Sequence, residues 1–201
     1  ADAQPVFDAI CASATRLLTG ADLAIGSLGE DDLIHWRAGS GETREAMRSV
    51  FPRPAPKTSG LLTGKATFLP DLLHGEGVPD SLREAARTLG RNVSMLSAAM
   101  TSGDRVLGTI AAFHTDMSPF TEEDGRLLKS FADQATIAIQ NARLFRETRE
   151  LLERQTATAD VLKVIAASPS DVQPVFDAIA ASSKRLLGGF STTVFRIADG
   201  V

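Results

Sequence analysis

The residues of this chain best able to do chemistry are few and widely spaced. Gly60-Leu61-Leu62-Thr63-Gly64-Lys65-Ala66-Thr67 comes close to a phosphate-binding loop. It is one residue short of G-x-x-x-x-G-K, and Ala66 stands where a hydroxyl would hold magnesium. It also leads into a predicted strand, so it reads as a turn. His35, His74 and His114 are scattered, with neither an HExxH motif nor a Cys/His cluster, and such spacing makes no metal site. Cys11 is the only cysteine, which precludes an intrachain disulfide and fits a reducing compartment. Glu122-Glu123-Asp124 falls in the predicted first turn of a helix, where negative charge complements the helix dipole. No serine sits in a G-x-S-x-G elbow. These residues assemble no catalytic constellation, and the chain reads as a non-enzyme.

The elements that would carry a site are clearer. Residues 2 to 19 predict an amphipathic helix with Val6, Ile10, Ala14, Leu17 and Leu18 on its apolar face, Pro5 in the first turn and Gly20 past the end. Strands are expected over Leu23–Leu28 and Leu33–Ala38, joined as a hairpin through a Gly-Glu-Asp-Asp turn. Pro52, Pro54 and Pro56 rule out regular structure from Phe51 to Gly60 on the sequence reading. A short strand (Ala66–Leu69), a loop, a helix (Ser81–Leu89) closed by Gly90, and a hairpin (Val93–Met100, Arg105–His114) follow. Thr121 with Asp124 forms a capping box ahead of a stretch with neither glycine nor proline from Arg126 to Ser168. As one helix it would be a rod of roughly 65 Å. The polar run Gln155 to Asp160 weakens the expectation of an unbroken helix. The fold class is α+β, with a largely antiparallel sheet.

The chain also repeats itself. Gln4 to Gly20 returns as Gln173 to Gly189, with thirteen of seventeen positions identical at an offset of 169. That offset is too long for a solenoid and suits one domain plus a connector. The expected organisation is a domain over 1–148, a helical connector over 149–169, and the opening of a second copy from 170 to 201. Ala180 replaces Cys11 in that copy, so the position does not require sulfur. A net charge of −4 and a pI near 5.4 argue against a nucleic-acid partner. No apolar run reaches the ~18 residues of a membrane span, and no signal peptide opens this segment. A cytoplasmic location is expected.

The order of elements, Leu107-Gly108-Thr109-Ile110-Ala111-Ala112-Phe113, and the segment from Pro119-Phe120-Thr121-Glu122-Glu123-Asp124 to Leu144-Phe145 resemble the GAF domain of bacterial tandem-GAF signalling proteins, of the sensor histidine kinase or nucleotide cyclase type. Gln155 to Ile165 is similar to the linkers of such proteins. The sequence departs from the pattern at Ala98-Ala99-Met100, where Val-Pro-Leu is usual. It also lacks the Asn-Lys-Phe-Asp-Glu pattern of cyclic-nucleotide binders. Cys11 lies on a different stretch from the cysteines that attach bilins in phytochrome-like members, and haem ligation through His74 or His114 reads less well than an ordinary histidine role.

The resemblance implies a small-molecule sensor with its long helices on one sheet face. Its pocket would lie on the other face, under residues 51–53 and 70–91. Phe51, Arg53, Phe68, His74, Arg91 and Ser94 are the candidate lining residues, and the cofactor or ligand is unknown. Trp36 could be core, interface or pocket. A homodimer through the first and last helices is expected, using Ile10 and Leu17 of the first and Leu128, Phe131, Ala135, Ala138, Ala142, Phe145 and Leu152 of the last, these at alternating three- and four-residue steps ending in a full heptad. Downstream partners would be the second GAF copy and an output domain. The alternatives are a ligand-free spacer, with Met95 and Phe68 filling the pocket, and a fold-matched redox enzyme, against which the single cysteine argues.

Overall fold

The computed structural model describes residues 3–54, 66–168, 171–187 and 190–195. The phosphate-loop-like residues 60–65 and the end of the second copy at 188–189 lie outside them. In chain order the elements are α1 (Gln4–Leu17), β1 (Asp22–Leu28), β2 (Leu33–Gly39), α2 (Arg44–Arg48), β3 (Arg53–Pro54), β4 (Thr67–Leu69), α3 (Asp80–Leu89), β5 (Ser94–Ser102), β6 (Arg105–His114), α4 (Glu122–Ala167) and α5 (Gln173–Leu187). Ala1–Ala142 form one compact unit and Arg143–Val201 a second.

In the first unit, six strands among the described residues form one sheet in the order β3-β2-β1-β6-β5-β4, and every pair is antiparallel. Successive strand residues face opposite sides, and both sides are covered. Leu23, Ile25, Leu96, Ala98, Met100, Ile110 and Ala112 join Phe7, Ile10, Cys11 and Ala14 of α1, Leu18 just past its end, and Leu128, Phe131, Ala132 and Ala135 of α4 in one core. The intervening residues Ala24, Met95 and Phe113 pack with Met47 of α2, Leu72, Val78 and Leu82, Ala85 and Ala86 of α3 in another. The long helices thus share one face, and the short α2 and α3 cover the other.

Three local findings differ from the sequence-based expectation. The proline-rich stretch contributes a two-residue edge strand, with Arg53 opposite Ile34 and Pro54 opposite Leu33. An edge strand tolerates proline because its outer side needs no ladder donor. The buried stripe of α1 runs through Phe7, Ile10, Cys11, Ala14 and Leu18, leaving Val6 and Leu17 exposed. Ile10, Ala14 and Leu18 are buried as expected, and a small rotation of the stripe buries the larger Phe7, with Cys11, in place of Val6 and Leu17. Finally, α4 continues through Gln155–Asp160. Thr158 Oγ1 donates to Arg154 O at 3.0 Å, and threonine's few-tenths propensity cost does not stop a propagating helix.

The ends of the elements are fixed by specific groups. Gly90 closes α3 in the left-handed region at φ 75°. The capping box is reciprocal: Thr121 N–H donates to Asp124 Oδ2 at 2.8 Å, and Asp124 N–H donates to Thr121 Oγ1 at 3.2 Å. Between β6 and α4, the His114 ring stacks on Phe120 with centroids 4.0 Å apart.

In the second unit, α5 reproduces the local hydrogen bonding of α1. Gln173 Nε2 donates to Asp177 Oδ1 at 2.9 Å, as Gln4 Nε2 does to Asp8 Oδ1 at 3.0 Å. Its burial differs: Val175, Phe176 and Ile179 are half-buried, whereas Phe7 and Ile10 are core residues. Arg185 pairs with Asp160 at 3.4 Å, and Ala157 is buried.

Candidate functional site

The cavity of interest lies on the α2/α3 face of the sheet. Its floor is built from alternate strand residues: Ala24 of β1, Met95 and Ser97 of β5, and Thr109, Ala111 and Phe113 of β6. Antiparallel register sets these side by side, with Ala24 and Ser97 both opposite Ala111, and Met95 opposite Phe113. Small residues at the centre of the floor leave room above it. The walls come from connecting segments: Met47 of α2, Val50, Phe51, Arg53 and Leu82 of α3. The enclosed space is about 20 Å³, enough for one water-sized group.

Phe51 is seated by a glycine. A Cβ on Gly26 would lie 2.7 Å from Phe51 Cε1 and 2.6 Å from Ile34 Cγ2, so only glycine lets the ring lie against the sheet there. Trp36 meets Phe51 edge-on at 5.6 Å, and the Arg53 guanidinium lies 5.4 Å from the Phe51 ring centroid. Beyond the cavity, Asp22 fixes the loop before α2 by accepting the Thr43 N–H at 2.7 Å. Arg83 braces the loop before α3 by donating to Leu73 O and Gly75 O.

Arg53 is the unusual group. It is only 8 % exposed, and it makes no ion pair and no side-chain hydrogen bond among the described residues; its Nε is a buried donor without a partner. Burial pulls its pKa below the ordinary arginine value, yet a guanidinium stays charged at neutral pH. Burying an ion costs several kcal/mol, whereas a cation–π contact returns only about 0.5–2 kcal/mol. Phe51 therefore does not balance the charge. Ser97 Oγ, on the cavity floor, is a second buried polar atom without a partner, at a cost of ~1–3 kcal/mol. Thr43 Oγ1 is a third, but Thr43 does not line the cavity. Two of the three unpartnered polar groups therefore meet at one concave place on the sheet.

Of the six expected lining residues, the structure brings Phe51 and Arg53 to the cavity. Phe68 does not reach it. It pairs opposite Leu96, on the sheet face occupied by α1 and α4, and sits against Gly125 at the edge. Ser94 has the same strand parity as Leu96, and its Oγ donates to Ser118 O at 2.7 Å. His74 is exposed, with its backbone N–H held by Asp71 Oδ1 at 2.7 Å. Arg91 is exposed and pairs with Glu42. Sequence reasoning missed Ser97 and Thr109, although a signal existed: each is a polar residue in the buried middle of a strand, with apolar or glycine neighbours on both sides.

The expected dimer residues divide. Ile10, Leu128, Phe131 and Ala135 are buried in the chain's own core, so they present no surface to a partner. Leu17, Phe145 and Leu152 are exposed, and Ala138 and Ala142 are half-buried. Ile137, Leu144 and Leu151 are exposed beside them. Cys11 lies in the α1/α4 core, and burial raises its thiol pKa. Among the described residues, no three His, Cys, Asp or Glu side chains gather to hold a metal ion, and no helix is long and apolar enough to cross a membrane.

The sheet order, the helices on its two faces and the roofed cavity define an α+β domain with a six-stranded antiparallel sheet. The GAF domain family profile matches residues 1–140, and the chain belongs to that family, whose members are generally regulatory sensing modules. No curated protein matches. Among solved structures, a domain of a two-component sensor histidine kinase protein from Sinorhizobium meliloti superposes with a TM-score of 0.61 at 14% identity, covering 74% of this chain and 98% of that one. A GAF domain/HD domain protein from Geobacter sulfurreducens gives 0.59 at 16% identity, covering 71% and 95%. The blue-light absorbing form of the Thermosynechococcus elongatus PixJ GAF domain gives 0.55 at 14% identity, covering 76% and 94%. At these identities the likeness is one of fold.

Proposed function

We propose that this chain is a non-catalytic small-molecule sensor and dimerisation module of a signal-transduction protein. The observation that carries the reading is the roofed cavity with a buried, unpaired Arg53 and an unpaired Ser97. A domain that only spaced its neighbours would gain stability by replacing both with apolar residues. Similarity in fold to a sensor histidine kinase domain supports the same reading. Native mass spectrometry of the chain as purified tests it. A non-covalent adduct lost on substitution of Arg53 is expected; a bare mass in every preparation, with no response to any metabolite pool, would refute it.

Dimerisation is proposed through two largely exposed stripes of α4. Ile137, Leu144 and Leu151 recur at seven-residue steps, as do Ala138, Phe145 and Leu152 beside them. Relay of occupancy along α4 toward a second GAF copy and an output domain belongs to the same proposal. Leu144→Glu with Leu151→Glu is expected to give a monomer with unchanged helix content in sedimentation and circular dichroism. A persistent dimer would remove this interface.

A second reading, the ligand-free spacer, is favoured by the cavity's volume of about 20 Å³, with Met47, Met95 and Phe113 crowding it. It leaves Arg53 and Ser97 unexplained.

A further inference from the structure

The polar and charged groups around the cavity are specific enough to name a ligand class, an inference that rests on the sensor reading above. Among the described residues, eleven line the cavity, and Arg53 is the only charged one of them. One fixed positive charge facing an enclosed space calls for one negative charge. A phosphate dianion or a nucleotide would leave charge uncompensated in a desolvated place. The two unpartnered atoms are a guanidinium N–H donor and a hydroxyl that can donate or accept. A carboxylate meets both, since it accepts from a planar guanidinium fork and has lone pairs left for a hydroxyl.

The remaining lining is mostly apolar: Ala24, Met47, Val50, Leu82, Met95 and Phe113. A bare inorganic anion would leave those walls without a partner. The space is small, but two of the walls are methionines, whose unbranched side chains repack at low cost. That allows a few carbon atoms and excludes a fused ring system.

We propose that the cavity binds a small monocarboxylate, its carboxylate paired with the Arg53 guanidinium and hydrogen-bonded by Ser97 Oγ, its short apolar tail against Met47, Met95 and Phe113. The chain carries its own reporter. Trp36 is the only tryptophan, it touches Phe51, and Phe51 underlies Arg53.

The experiment is a titration of the full chain with sodium acetate, propionate and butyrate, read by Trp36 emission and by thermal melting. Sodium chloride and sodium phosphate at matched ionic strength, propionamide and ethylammonium chloride serve as controls. Saturable changes with the carboxylates, dependent on tail length and absent with the amide and the inorganic anions, are expected. Arg53→Gln should weaken apparent affinity roughly 10- to 100-fold, the loss of charge-assisted hydrogen bonds. Ser97→Ala, a smaller change on the cavity floor, should weaken it by a smaller factor and keeps the test open if Arg53→Gln does not fold. An equal response to chloride, phosphate or propionamide would overturn the proposal, as would a carboxylate response unchanged in both variants. A response to the neutral or cationic probe alone would overturn the ligand class while leaving the sensor reading standing. Silence from every probe, together with a bare mass in native spectrometry, would remove both.

Discussion

Gly26→Ala is the most incisive perturbation of the site that leaves its polar groups untouched. The added Cβ would sit 2.6 Å from Ile34 Cγ2, 2.7 Å from Phe51 Cε1 and 3.2 Å from Phe51 Cζ. The first two are closer than carbon atoms tolerate, so the Phe51 ring and the buried Ile34 must both move. Overpacking of this kind costs about 1–3 kcal/mol. For a chain of this size, each kcal/mol lowers Tm by roughly 2–4 °C, giving a loss of about 2–12 °C. Because Phe51 meets Trp36 at 5.6 Å, the native emission should shift as well. Phe51→Leu removes the ring atoms that would clash, so the double variant should lose less stability than the sum of the two singles. The assay is thermal melting followed by tryptophan emission for the four proteins of the cycle. Strict additivity, or a Gly26→Ala protein with native Tm and emission, would refute the claim that glycine seats the ring.

Other outcomes follow from the same geometry. Leu128→Ala, in the core between α1, α4 and the sheet, should cost about 2–5 kcal/mol by chemical denaturation, while exposed Leu162→Ala should cost under about 0.5 kcal/mol if that position has no partner. Thr121→Ala removes one half of the reciprocal capping box and should cost about 0.5–2 kcal/mol, with amide exchange rising in the first turn of α4. The carboxyls of Asp31, Asp71 and Asp116 are held below the usual aspartate pKa, first by hydrogen bonds from the His35 side chain, the His74 backbone and the Ser118 side chain respectively. A depressed folded pKa means that the unfolded chain takes up the proton first. Their stabilisation is therefore complete above the ordinary aspartate value and is lost as pH falls through and below it. Replacing all three with asparagine should flatten the acid side of the stability profile, measured by urea midpoints across pH; an unchanged acid slope would count against it.

The sequence carried the fold more fully than the site, for physical reasons visible in particular residues. Strands β1, β2, β5 and β6 were legible because alternating or continuous apolar runs ended at turn residues. Strand β3 was not, because proline is read as a breaker, and its edge position depends on pairing with Ile34 across the chain. On α1, Ile10, Ala14 and Leu18 of the expected face are buried, but the stripe is rotated so that Phe7 and Cys11 replace Val6 and Leu17; both rotations are periodic, and only the partner surface decides between them. At the site, Phe51 and Arg53 line the cavity, whereas Phe68 and Ser94 belong to the opposite face of the sheet. Facing in a strand follows from register, and a shift of one residue puts a side chain on the opposite face.

The interleaving of the two cores along β5 and β6 has a consequence for how such a domain can change over evolutionary time. Residues 95, 97, 109, 111 and 113 shape the cavity, and residues 96, 98, 110 and 112 hold the helices. The two sets share a backbone but point to opposite sides of it. Substitutions in the first set can alter what fits the cavity with little coupling to those that keep the chain folded, since sites without shared partners act nearly additively. The sheet therefore behaves as a two-sided template, on which the shape of the cavity can drift on one face while the other is held constant.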